Sequence, residues 1–225
     1  MLRAGRGEEK GGLVLPGSLA VDFGEMEAII KNMWGYPEEK VDPLRHYALL
    51  LHGWSGRMSL VSQKDRDLLP TRHFLPALAM VPLIKSLPHE SILDFGSGGG
   101  LPGIPLKIML PETNFILLES RRRRANFLRE VVRKLDLDGI EVVNQRWENW
   151  KPAIEGVDLI VSRAVGKPEE VYSLVKTFLR PYGAMLVNLG RESARETKVE
   201  APLLFKSEVK WGGGGTWLGL LGQRG

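Results

Sequence analysis

The chain has no cysteine and no apolar run long enough to make a membrane-spanning helix, and each absence removes a class of function. Without cysteine there is no thiol nucleophile, iron–sulfur cluster, thiolate zinc site or disulfide framework, which fits a reducing, cytoplasmic setting. The histidines at 46, 52, 73 and 89 show no metal-ligand spacing, so no metal is expected. The longest apolar stretch near the start, residues 13–21, is broken by Pro16 and Gly17 and preceded by Glu8 and Glu9. Neither a targeting signal nor a membrane anchor is expected from it.

What is present is an ordinary globular composition, with 225 residues, 43% of them hydrophobic and 26% charged. A chain of this length can bury a real core without staples. The net charge of +4 is unevenly placed: residues 1–90 hold 11 Lys/Arg and 11 Asp/Glu, whereas residues 91–225 hold 20 and 16. Within 121–134, seven basic residues stand against one acid, Glu130. A local basic patch, and through it an acidic partner, is the reading this distribution supports.

Periodicity divides the chain into three parts. Residues 1–24 are glycine-rich and aperiodic, and are expected to be a loosely held extension. Residues 25–90 read as a helical region: Leu44, Tyr47, Ala48, Leu51 and Trp54 recur at helical spacing, and 73–87 carries a second stripe that Pro82 and Pro88 limit. From Ser91 onward, short apolar runs at 91–95, 114–118, 140–143, 157–161 and 184–189 alternate with helix-length segments. That alternation predicts βαβ units and a parallel sheet covered on both faces, and residues 203–221 predict an antiparallel hairpin at its far side.

The first of these strands runs into Gly96-Ser-Gly-Gly-Gly-Leu-Pro-Gly103. Glycines between a strand and a helix let backbone N–H groups approach a ligand closely. Gly96-x-Gly98-x-Gly100 resembles an S-adenosylmethionine loop, while Gly98-x-Gly100-x-x-Gly103 satisfies the dinucleotide fingerprint. Glu119, at the end of the next strand, is placed to accept both hydroxyls of a ribose, which suits either cofactor. Asp94 can support the loop or face a ligand's positive charge. Trp147 and Glu148, after the third strand, can flank an adenine, and Trp147 can equally be core. Arg163 leaves the fourth strand at its carboxyl end, where ligands bind in open α/β sheets.

The combination of Leu93-Asp-Phe-Gly-Ser-Gly-Gly-Gly-Leu-Pro-Gly-Ile-Pro-Leu106, Leu117-Leu-Glu-Ser120, Phe127-Leu-Arg129, Arg146-Trp-Glu148 and Ser162-Arg-Ala164 resembles the bacterial small-subunit ribosomal RNA guanine-N7 methyltransferases, once called glucose-inhibited division protein B. Trp54, Met58-Ser-Leu-Val61 and Arg72-His73-Phe-Leu75 are similar to that family's motifs in its helical half. The likeness runs over residues 44–190. Departures are Pro76-Ala77 for the family's Asp-Ser, Arg122-Arg123-Arg124 for Gly-Lys-Arg, and Leu189-Gly190 for Lys-Gly.

The resemblance implies a Rossmann-like class I methyltransferase domain over 91–225, with a mostly parallel seven-stranded sheet, helices on both faces and an antiparallel end strand. It implies S-adenosylmethionine as cofactor and N7 of a guanine in 16S ribosomal RNA, free or in the small subunit, as methyl acceptor. Cofactor contacts carried over by position are Gly96, Leu101, Trp147, Glu148 and Arg163; the ribose argument adds Gly98 and Glu119. Arg163 is expected to position the substrate, with Arg72 and His73 placed to reach it from the helical half; a hydrogen-bonded structural histidine is an equal reading of His73. A helix at 123–135 would turn Phe127, Leu128, Val131, Val132 and Leu135 to the core and present Arg122, Arg129 and Arg133 outward; with Arg123 and Arg124 these are the candidate RNA contacts. A monomer is expected. An NAD-dependent oxidoreductase and a non-catalytic RNA-binding module are the alternative functions.

Overall fold

Ser91–Phe95 forms β1 and is buried along its whole length, as a strand covered by helices on both faces must be. The computed structural model describes residues 22–152, 156–163, 166–190, 194 and 202–222. Residues 1–21 of the expected extension lie outside them, as does Ala164. Strands β2 (Asn114–Leu118), β3 (Ile140–Val143), β4 (Val157–Ser162), β5 (Leu179–Leu189), β6 (Leu203–Trp211) and β7 (Gly214–Leu221) complete one sheet in the order β3-β2-β1-β4-β5-β7-β6. Pairings from β3 through β5 are parallel, and β7 joins β5 and β6 antiparallel. This is the expected class I methyltransferase sheet, antiparallel end included.

The helices are α1 (Gly24–Ala28), α2 (Val41–Ser55), α3 (Leu75–Leu78), α4 (Val81–Lys85), α5 (Gly103–Met109), α6 (Arg122–Lys134) and α7 (Pro168–Val175). The single stripe read over 73–87 is divided into a wide turn, Pro70–Phe74, followed by α3 and α4. Pro76 and Pro82 cause the division, because neither can donate the backbone N–H that would continue the preceding turn. Each stands in the first turn of the helix it restarts.

Side chains alternate across the sheet. Ile92, Leu159 and Val161 enter a core shared with Leu44, Tyr47, Leu51, Phe74 and Leu78 of the helical region and with Ile104, Phe127 and Leu128 of α5 and α6. Leu93, Ile160 and Val187 enter a second core under α7. The helical region therefore packs directly on the helices covering the first face, and Trp54 of α2 meets Phe127 of α6 at 5.7 Å between ring centroids. At the opposite end of β1, the Asp158 carboxylate accepts the Ser91 N–H and hydroxyl and a 2.8 Å bond from Arg180.

The junction of β1 and α5 is the tightest point. Asp94 shares the face of Ile92, and its Oδ2 accepts the Gly103 N–H at 3.0 Å. A Cβ on Gly103 would lie 2.5 Å from that oxygen and 2.6 Å from Leu117 Cδ2. Neither neighbour can retreat, since both are buried on the sheet. Gly103→Ala is accordingly expected to destabilise the protein by about 1–3 kcal/mol through overpacking, measurable as a lowered urea midpoint with an unchanged slope.

Candidate active site

The loop after β1 turns back on itself through three glycines in the left-handed region, Gly96 (φ 73°), Gly98 (φ 56°) and Gly100 (φ 90°). The N–H groups of Gly96 and Ser97 both reach the Leu118 carbonyl, at 3.0 and 3.1 Å, which ties the loop to the end of β2. One residue on, the Glu119 carboxylate accepts the Gly98 N–H at 2.9 Å and the Arg121 N–H at 2.7 Å. Glu119 is 95% buried yet lines the cleft above the loop. Two of its roughly four lone-pair positions are taken by backbone, which leaves capacity for two further donors.

From the helical side, the Tyr47 hydroxyl donates to the Gly99 carbonyl at 2.5 Å, its ring stacked on Phe74 at 5.3 Å. Arg124 of α6 reaches the Ser59 carbonyl at 2.8 Å. The result is a cleft of about 470 Å³ at the carboxyl ends of β1, β2 and β4. Leu60 and His73 form one wall, the glycine loop and Glu119 the floor, Arg121 and Arg124 one rim, and Arg163 the end wall.

Asp94 answers the alternatives left by the sequence. It serves the loop, through Gly103, and its Oδ1 is buried without a hydrogen-bond partner. Burial, with the nearby Glu119 charge adding to it, pushes its carboxyl up to about 7 against the pull of the Gly103 N–H.

His73 is buried and neither ring nitrogen has a hydrogen-bond partner among the described residues. Its Nε2 lies 3.7 Å from Asp65 Oδ2, while Asp65 Oδ1 accepts from Arg72 at 2.7 Å. Arg163 donates through Nη2 to the Arg72 carbonyl at 3.3 Å, and its buried Nη1 has no hydrogen-bond partner among the described residues. Burial is the main cause, and the Arg163 cation a second, that lowers the His73 pKa to about 4.

The structure thus brings Gly96, Gly98, Leu101, Glu119, His73, Arg124 and Arg163 to one cleft. Trp147 and Glu148 are not among its described lining residues: Trp147 opens a short turn after β3 and packs beside the second core, and Glu148 is exposed. Arg72 is exposed and reaches the cleft only through its carbonyl. Arg122, Arg123, Arg129 and Arg133 lie on the outer surface of α6. Among the described residues no group of three metal-ligating side chains occurs, and no helix is long and apolar enough to cross a membrane.

A family model described as rRNA small subunit methyltransferase G matches residues 40–211. The chain belongs to that family. Curated relatives agree: ribosomal RNA small subunit methyltransferase G of Legionella pneumophila (strain Corby) is 35% identical over 150 residues, covering 67% of this chain and 70% of the relative. The protein of the same name from Photobacterium profundum is 33% identical over 173 residues, covering 77% and 82%. A solved SAM-dependent O-methyltransferase from Thermotoga maritima, 13% identical, superposes with a TM-score of 0.50 over 77% of this chain and 72% of its own, and shows the shared fold. As a member of the methyltransferase G family the protein is an S-adenosylmethionine-dependent enzyme of small-subunit ribosomal RNA, and the dinucleotide reading of its glycines is set aside.

The residues present fit that cofactor. Glu119 has the free acceptor capacity a ribose needs, and an added Cβ at Gly98 would meet no atom closer than 3.8 Å, so the loop backbone there is open to a ligand. The cleft volume lies within the usual range for small-molecule sites, ~300–1,000 Å³.

Two contributors were not singled out from the sequence. Tyr47 appeared only as one member of a helical stripe, and nothing in its spacing indicates that its hydroxyl seats the loop. Asp65, eight positions before His73, gives no local signal at all.

The buried imidazole carries a pH consequence. Its folded pKa, about 4, lies below its ordinary value of 6.5, so between these limits the unfolded chain binds more protons. Its contribution is complete above pH 6.5 and is lost as pH falls towards 4, by up to about 3 kcal/mol. Denaturation of the wild type and of His73→Phe across that window should show the wild type losing stability faster as the pH drops.

Proposed function

We propose that the cleft transfers a methyl group from S-adenosylmethionine to N7 of a guanine in 16S ribosomal RNA. The observation that carries this reading is the pairing, in one cleft, of a buried acid with spare acceptor capacity at the end of β2, Glu119, with a half-buried arginine at the end of β4, Arg163, whose Nη1 has no hydrogen-bond partner among the described residues. The bound cofactor supplies an electrophilic methyl group on a sulfonium.

The chain's own part is placement. Gly96, Gly98 and Leu101 cradle the cofactor and Glu119 accepts its ribose hydroxyls, with Trp147 and Glu148 approaching its adenine from the turn after β3. Guanine N7 has a lone pair and no proton to lose, so the protein needs no general base. Alignment of N7 with the methyl carbon, and exclusion of water, provide most of the effect. Arg163, permanently charged and with Nη1 unpaired among the described residues, holds O6 and so fixes the orientation of the ring.

The rim accounts for the RNA. α6 opens with Arg122, Arg123 and Arg124 and no acid in its first turn, where the helix dipole disfavours cations by about 0.3–1 kcal/mol each. The Arg122 and Arg123 side chains make no hydrogen bond or ion pair to another described residue, whereas Arg133 is held twice by Glu130 and Arg129 bonds Asn126 and the Val142 carbonyl. Free guanidinium groups beside a helix N-terminus favour phosphate, and we assign the first RNA contacts to Arg122 and Arg123.

Small subunits incubated with methyl-labelled cofactor are expected to take label into RNA as N7-methylguanine; label in protein alone, or nowhere, overturns the reading. Arg163→Ala should lower the methylation rate by at least about 100-fold, the scale of losing a charged positioning contact, while a thermal melt shows the fold retained. Replacing Arg122 and Arg123 together with alanine should weaken RNA binding and reduce the slope of log affinity against log salt by about 1–2, as read by filter binding.

A further inference from the structure

We propose, resting on the reading of the cleft as a guanine-N7 transfer site, that His73 selects the base by accepting the N1–H of guanine while Arg163 donates to its O6. His73 and Arg163 line the same cleft, and each has buried side-chain nitrogens with no hydrogen-bond partner among the described residues: the two ring nitrogens of His73 and Nη1 of Arg163. Atoms of this kind are costly to leave unpaired, and the Arg163 cation is near enough to lower the His73 pKa.

The chemistry of each atom follows from its neighbours. The groups facing His73 are the Asp65 carboxylate, 3.7 Å from Nε2, the Arg163 guanidinium, and Arg72, itself paired with Asp65. Tyr47 adds a neutral hydroxyl on the Arg163 side, already committed to Gly99. Burial of the ring first, and the Arg163 cation second, keep the imidazole neutral at physiological pH. The Asp65 carboxylate, 3.7 Å from Nε2, favours the neutral tautomer with its proton on that nitrogen, which leaves Nδ1 as an acceptor. Arg163 Nη1 is a donor and nothing else.

The pair therefore presents one donor beside one acceptor. Guanine matches it with an acceptor, O6, beside a donor, N1–H. Adenine offers an amino donor beside an acceptor nitrogen, and is mismatched at both positions. Single-stranded bases are commonly read on this edge, and it lies on the other side of O6 from N7, which stays free to face the methyl group. In the transfer the N7 lone pair forms the new N–C bond, the C–S bond breaks with its electrons going to sulfur, and no proton moves. The ring gains one positive charge, which makes N1–H a stronger donor. Its bond to His73 is then stronger in the transition state than in the ground state, and favours rate as well as selection. Asp65 places a negative charge behind that bond.

The test uses the wild-type enzyme first. Once the methylated nucleotide is mapped, small-subunit RNA is ligated with guanosine, inosine or N1-methylguanosine at that position and assembled into subunits. Inosine keeps O6 and N1–H and should be methylated at a rate within about 3-fold of guanosine; N1-methylguanosine should fall by at least about 100-fold, as when a buried polar group is left unpaired. His73→Ala, which removes the acceptor and opens space, should lower kcat on guanosine, leave cofactor affinity by calorimetry unchanged, and bring the two guanosines close together in rate. Equal rates for guanosine and N1-methylguanosine with the wild type, or full kcat on guanosine for His73→Ala, would overturn the assignment to His73 and leave the methyl-transfer reading standing. Absence of any N7 transfer to guanosine by the wild type overturns both.

Discussion

A single hydroxyl joins the two halves of the molecule where the chemistry is. Tyr47, in α2, donates to the carbonyl of Gly99 from 52 residues away, and both partners are buried. A buried hydroxyl and a buried carbonyl each need a partner, so the position of α2 and the path of the glycine loop fix one another. Everything else in the cleft is referred to that contact. The loop sets where Gly98 meets Glu119, α2 sets where Phe74, and hence His73, stands, and Arg124 and Arg163 add ties to the Ser59 and Arg72 carbonyls.

The clamp also explains why the glycines are where they are. Gly103 is required by the approach of α5 to Asp94, and Gly100 by Ile104, whose Cγ1 would stand 2.6 Å from an added Cβ. Gly98 has no such crowding, and its left-handed backbone aims an N–H at Glu119 instead. Two of the glycines hold the fold together, and the third shapes the surface a ligand meets. The motif is one string in sequence with separable physical duties.

Charge is distributed by a similar division. Glu119 lies buried at the floor, organised by backbone N–H groups, Asp94 is buried behind the loop against Gly103, and the arginines occupy wall and rim. An acid floor suits the hydroxyls and positive charge of the methyl donor, and a basic rim suits the phosphates of the acceptor. The two substrates thus meet opposite potentials within one cleft.

Alternating strands, the glycine string, the acid after β2 and the arginine after β4 could all be read from order along the chain, because a parallel sheet places successive strand ends on one edge. So could the outward face of α6, from helical spacing alone. Helix breaks at Pro76 and Pro82 were half visible, since a stripe of apolar residues continues across a proline that the backbone cannot. Trp147, which the sequence allows either to flank an adenine or to pack in the core, lies beside the second core and is not among the described residues lining the cleft. The sequence determined the sheet, the cofactor loop and the chemical class of the site, since each follows from local pattern and motif. Only the tertiary structure decided that Tyr47 seats the loop, that Asp65 backs His73, and that His73 and Arg163 stand together with unpaired nitrogens. Contacts between residues far apart in the chain leave no periodic trace in it.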